Sequence, residues 1–189
     1  MVCFCIFGLQ FAVDFTAPAL LALLSIVLPR RALLRTVLAA LLHESAYLLA
    51  IAAAGETPQR MRVSAAGLRL ELRGTALCPV RRLAVILAAG PAANLLAALC
   101  FQCSGMPESA AANLSLALFN LLPYPATDGG SLLCCALEQR FADSRPDLPP
   151  RILTAASWLT TAAFAAFLLR AGIRNLSLWG MLLFMLFSS

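Results

Sequence analysis

Residues 152–169 read ILTAASWLTTAAFAAFLL, eighteen consecutive positions without a charged side chain. A helix of roughly that length crosses the hydrocarbon core of a bilayer, because about 20 residues rising about 1.5 Å each cover about 30 Å. Residues 11–29, 32–54 and 83–101 are comparable runs, the first interrupted by Asp14 and Pro18, the second containing Arg35 near its start and His43 and Glu44 near its middle, the third carrying GPAAN at its middle. Residues 110–122 are apolar but too short to span alone. PYPATDGG then breaks the helix, residues 131–138 resume it, and residues 175–187 read as a short last helix. The expected fold is an all-α polytopic membrane protein, one domain over residues 1–189, with about five to six transmembrane helices, one of them broken. Composition agrees: 61% of the chain is hydrophobic and 12% charged, where a soluble domain is about half apolar and about a quarter charged. No basic residue precedes Arg30, so the first apolar segment lacks the basic flank of a secretory signal and is read as retained.

Between the second and third spans the period changes. In MRVSAAGLRLELRG, Leu68, Leu70 and Leu72 alternate with Arg69, Glu71 and Arg73, the two-residue repeat of a half-buried strand, and SAAG reads as a turn. A small β-hairpin between helices two and three is expected, with a structured surface loop as the plainer alternative. The 56–82 loop carries six arginines and the 138–151 connection three; placing both in the cytoplasm leaves five outside, the orientation that basic cytoplasmic loops favour. The net charge of +5 is spread over such loops. It forms no basic cluster with interleaved aromatics, so nucleic acid is not an expected partner. The seven cysteines lie mostly inside apolar runs and read as small buried hydrophobes rather than a disulfide framework.

Ionisable groups inside spanning segments cost about 2.5–3.5 kcal/mol each on insertion scales, yet His43 and Glu44 lie near the middle of one span. Asp128 lies in the broken segment, and non-helical backbone at membrane depth survives only where protein or a water-filled cavity surrounds it. These three side chains are expected to converge on one interior cavity. The bland alternative is that His43 and Glu44 merely hydrogen-bond neighbouring helices.

Three stretches, LLHESAYLLA (41–50), AAGPAANLL (88–96) and FNLLPYPATDGG (119–130), together resemble the site-2 protease family of intramembrane zinc metalloproteases, in outline its compact bacterial, sporulation-type members. Gly90, Pro91 and Asn94 match the family's second motif; Asn120, Pro123, Asp128 and Gly129 match the third. The resemblance implies a multi-pass protein of a bacterial cell membrane that cleaves a transmembrane or membrane-adjacent segment of a protein substrate. It implies one zinc ion held by His43 and Asp128, with Glu44 as general base on the metal-bound water. Asn94 would be a second catalytic residue that positions or polarises the substrate, and Gly129 and Gly130 would permit the turn that presents Asp128. His43, Glu44, Tyr47, Asn94 and Asp128 should then surround one cavity.

Tyr47 departs from that pattern. It stands where the family's H-E-x-x-H helix has its second histidine, and His43 is the only histidine in the chain. A phenol binds metal only as phenolate, and its free pKa is about 10. Either Tyr47 is an unusual third ligand, or the chain is a pseudoprotease that binds or regulates a membrane protein partner without hydrolysis. A small transporter using the broken helix as its site is a third reading, which leaves the three motifs unexplained.

Overall fold

The computed structural model describes residues 2–6, 9–55, 58–64, 67–72, 80–141, 144–172, 178–180 and 182. Most of the helix expected at 175–187 therefore lies outside the described residues. The chain divides into two compact units, Met1–Ala117 and Leu118–Ser189.

The first unit opens with strands β1 (Val2–Ile6) and β2 (Leu9–Val13), followed by helices α1 (Thr16–Val27) and α2 (Arg30–Ala53). Strands β3 (Pro58–Ser64) and β4 (Gly67–Leu72) come next, then helix α3 (Val80–Cys103) and helix α4 (Pro107–Asn120), whose last turn enters the second unit. Helices α5 (Asp128–Phe141) and α6 (Leu148–Arg170) follow. Among the described residues, α2, α3 and α6 are long and apolar enough to cross a bilayer. Each of the three ends on a glycine in the left-handed region, Gly55, Gly105 and Gly172, the usual stop for a helix because only glycine takes that conformation without a Cβ penalty.

The hairpin expected between helices two and three is present. β3 and β4 pair antiparallel, with Met61 opposite Leu70 and Ser64 opposite Gly67. It is half of a larger structure. β1 and β2 form a second antiparallel hairpin, and β2 pairs parallel with β3, Gln10 opposite Arg60, to give one sheet in the order β1-β2-β3-β4. Parallel neighbours need a long crossover, and α1 with α2 supplies it. This corrects the expected span at residues 11–29. The run divides at Asp14 into a strand and a helix of 12 residues, about 18 Å long and short of a membrane's width. Its first three residues, 11–13, are held by cross-strand pairing, which periodicity in an apolar stretch cannot separate from helix.

Helices α2 and α3 pack along two stripes of four-residue spacing. Ala39, His43, Tyr47 and Ile51 line one side; Ile86, Gly90, Asn94 and Ala98 line the other. Ile51 and Ile86 form a buried apolar cluster with Tyr47, Ala50 and Ala54 against it. From α4, Ala110, Asn113 and Ala117 are buried. Small residues and amides recur in these seams because lipid tails are as apolar as leucine, so close van der Waals packing and interhelical hydrogen bonds hold the helices together. The large apolar side chains Leu34, Leu38, Leu41, Leu96 and Leu99 point outward, as membrane helices require.

Candidate functional site

In the first unit, the protein's one imidazole sits at the α2–α3 seam. The His43 residue is 7% exposed, and Asn94, opposite it, is fully buried. His43 Nδ1 lies 2.9 Å from Asn94 Oδ1. The Asn94 amide donates to the Ala39 carbonyl, 3.0 Å away, and to Asn113 Oδ1, 2.8 Å away. The Ala39 carbonyl is one helical turn before His43, so this bond ties α3 to the turn of α2 that carries the imidazole.

Gly90 explains how the ring fits. A methyl group placed on Gly90 would fall 2.5 Å from Nε2, 2.6 Å from Cε1 and 2.8 Å from Cδ2 of His43. Near-equal distances to three ring atoms place that point over the face of the ring. A point along the Nε2 lone pair would be much farther from the two carbons. The imidazole therefore lies flat on the Gly90 backbone and holds Nε2 in the ring plane, directed past α3 rather than into it. Glycine is required here for close approach, not for an unusual backbone angle.

Asn94 was expected to position or polarise a substrate. Both N–H groups of its amide are taken up by Ala39 and Asn113 and its oxygen by His43, an arrangement suited to holding His43. Asn113 falls in none of the three motifs. The available signal was a buried-type amide in the apolar helix AANLSLALFN, the same cost criterion that singles out His43. Glu44 is half-buried on the next position of α2. Tyr47, also half-buried, lies one turn beyond His43 on the same stripe, against Ile51 and Ile86.

The second unit presents Asp128. The broken segment is a tight loop ending at Thr127, whose Oγ1 accepts from the Gly130 N–H at 3.3 Å. That bond caps the N-terminus of α5, and it makes Asp128 the first helical residue, where a carboxylate is favoured by the helix dipole. Asp128 Oδ2 is shielded from solvent. The loop is pinned to α6: Ser157 Oγ donates to the Pro123 carbonyl at 2.7 Å, and the hydroxyls of buried Tyr124 and Thr161 are 2.7 Å apart. Thr161→Val would leave the buried Tyr124 hydroxyl without this partner. It should lower stability by about 1–3 kcal/mol, measured by thermal unfolding in detergent against Thr160→Val on the more open face of α6. Gly129 and Gly130 are helical and adopt no left-handed angle, so they do not act by permitting an unusual turn. A Cβ on Gly129 would fall 2.3 Å from the Leu121 carbonyl oxygen, and one on Gly130 would fall 1.8 Å from that of Tyr124. Their role is to let α5 start against the loop.

No family model matches the chain, and no curated protein matches it by sequence. Among solved structures, the site-2 protease from Methanocaldococcus jannaschii is similar over 99% of this chain and 92% of that one, at 18% identity and a TM-score of 0.68. The chain has the site-2 protease fold. An identity that low speaks for the fold and leaves the chemistry to the residues. Among the described residues, no group of three or more His, Cys, Asp or Glu side chains gathers to hold a metal ion, and position 47 of this site-2 protease fold offers a phenol. With His43 the chain's single histidine, the second imidazole of a two-histidine, one-carboxylate hydrolytic zinc centre has no counterpart at position 47.

Proposed function

We propose that this chain uses the site-2 protease fold to engage a transmembrane or membrane-adjacent segment of another membrane protein, with zinc-dependent cleavage lost or strongly reduced. The observation that carries this reading is Tyr47, one turn after His43 on the same stripe, with its ring against the apolar cluster of Ile51 and Ile86. A phenol binds metal only after losing its proton, whereas a neutral imidazole binds through its own lone pair. In this reading His43 and Asp128 are a reduced ligand pair, Glu44 is a general base without a fully held metal-bound water, and Asn94 holds His43. β4 is an edge strand of the sheet, and an extended segment of the partner could add to it by main-chain pairing. The lipid bilayer is the medium, and the bacterial cell membrane is the proposed location.

A second reading is favoured by Glu44, Asn94 and Asp128, all present at their motif positions: an active zinc metalloprotease with Tyr47 as third ligand. Metal analysis of protein purified from membranes separates the two. Well under one zinc per chain, unchanged in Tyr47→Phe, is the result expected here. One zinc per chain that disappears in Tyr47→Phe, together with cleavage of a membrane-embedded helix, would establish the second reading. The binding itself is tested by a benzophenone amino acid at position 47, which should cross-link to a membrane helix of a partner; capture of lipid alone would count against it.

A further inference from the structure

Two backbone carbonyls fix the protonation pattern of His43. The Ser109 carbonyl can only accept, so the Asn113 side chain, which meets it at 3.0 Å, must turn its Nδ2 that way. Asn113 Oδ1 is then the atom facing Asn94, at 2.8 Å from Asn94 Nδ2. The Ala39 carbonyl, also acceptor-only, calls for that same Asn94 nitrogen. With both amides oriented, the atom of Asn94 that faces His43 is Oδ1, again an acceptor. Nδ1 of His43 must therefore carry the hydrogen, and in the neutral ring Nε2 is the unprotonated nitrogen.

We propose that Asn113 is a positioning residue for His43: acting through Asn94, it holds the neutral imidazole in the Nδ1–H tautomer and so presents the Nε2 lone pair at a fixed place beside Gly90. The chain Ser109, Asn113, Asn94, His43 joins three helices, α4, α3 and α2, and both amides are essentially buried, Asn113 at 4% exposure. Inside a low-dielectric seam, a reversed amide would set two acceptors against each other, and an unpaired buried polar group costs about 1–3 kcal/mol. The same device, in which the second ring nitrogen of a histidine is held by an oxygen acceptor, fixes ring orientation wherever an imidazole must offer one defined lone pair. Two features make Asn113 more than a packing residue here. Its amide is satisfied on both sides, and its orientation is transmitted to a ring whose chemistry depends on it. The inference rests on hydrogen bonds within the first unit, so it stands independently of whether the chain cleaves, binds or ignores zinc.

The single histidine makes the test direct, because ¹⁵N-histidine labelling gives one pair of ring-nitrogen signals from the detergent-solubilised protein, metal-free and at a pH where the ring is neutral. The protonated and unprotonated nitrogens are far apart in ¹⁵N shift, so the tautomer is read without competition from other residues. The parent protein should show Nδ1–H as the dominant form, opposite to the preference of a free imidazole side chain. Asn113→Leu removes the acceptor for one Asn94 N–H and should draw the two ¹⁵N signals toward each other as a mixture appears. Asn113→Thr keeps a hydroxyl that can donate to the Ser109 carbonyl one turn back and accept from Asn94, and should keep the parent pattern. A purely structural role would affect the folded fraction of these variants but not separate their tautomers. Nε2–H as the dominant form in the parent overturns the proposal without any variant being made, even if Asn113→Leu fails to fold. So does an Asn113→Leu spectrum identical to the parent's. Failure of zinc to bind the same samples bears on the proposed function alone.

Discussion

Replacing Tyr47 by histidine should raise zinc content sharply, to about one ion per chain. Positions 43 and 47 share a stripe of α2, one turn apart, so two imidazoles there project from one helical face. Asp128, at the position matching the family's third motif, is the proposed third ligand. Changing even an outer partner of a zinc ligand shifts affinity about 10–100-fold; adding a direct ligand should shift it by at least the upper end of that range. The scaffold for one imidazole is already built, with Gly90 giving room for the His43 ring and Asn94 holding Nδ1. Tyr47→Phe is the control: it keeps the contact with Ile51 and Ile86, lacks a hydroxyl, and should leave zinc at the parent level. In the Tyr47→His background, Glu44→Gln should keep the metal and abolish any peptide hydrolysis that appears, since only the base is removed. Asp128→Asn should lower the metal content itself, since a neutral amide is the poorer ligand. Unchanged zinc in Tyr47→His, measured by atomic absorption after purification without chelator, would show that the site no longer has the shape of a metal centre.

The three motifs and the long apolar runs were legible because their signals are local. His43 and Asn94 could be marked as polar groups in apolar helices, and the two-residue alternation at Leu68–Leu72 announced its strand. What stayed hidden depended on partners distant in sequence. Residues 11–13 read as the start of a spanning run because nothing in their own pattern declares that Phe11 and Ala12 will pair with Met61 and Arg62. Asn113 is one amide among small apolar residues, and its meaning comes from Asn94, 19 positions earlier. Thr127 looks like any loop residue until α5 is seen to begin at its cap. Gly129 and Gly130 were expected to permit a turn conformation, where the structure shows a question of space.

That question has a test with a large expected effect. Gly130 is the third residue of α5 and has ordinary helical geometry. By propensity alone Gly130→Ala should stabilise the helix, by about 1 kcal/mol. The added Cβ, however, would sit 1.8 Å from the Tyr124 carbonyl oxygen and 2.5 Å from its carbon. At Gly90 the obstructing atoms belong to a side chain that can turn aside, whereas here they are backbone, and the backbone is restrained. Tyr124 is anchored through its hydroxyl to Thr161, the preceding carbonyl of Pro123 takes the Ser157 hydroxyl, and Thr127 donates to the Tyr124 oxygen itself. Relief requires the loop or the first turn of α5 to move, and with it Asp128. The steric cost should exceed the propensity gain and reach about 3 kcal/mol or more, the upper end for overpacked sites. Both tryptophans, Trp158 and Trp179, lie in the second unit, so thermal unfolding followed by tryptophan fluorescence in detergent reports this region directly. Gly180→Ala, where nothing lies within 4 Å of the added carbon, should change stability by no more than about 0.5 kcal/mol. Equal melting of the two variants would mean that the loop yields easily, and Asp128 would then be held in place far less firmly than the hydrogen bonds around Thr127 imply.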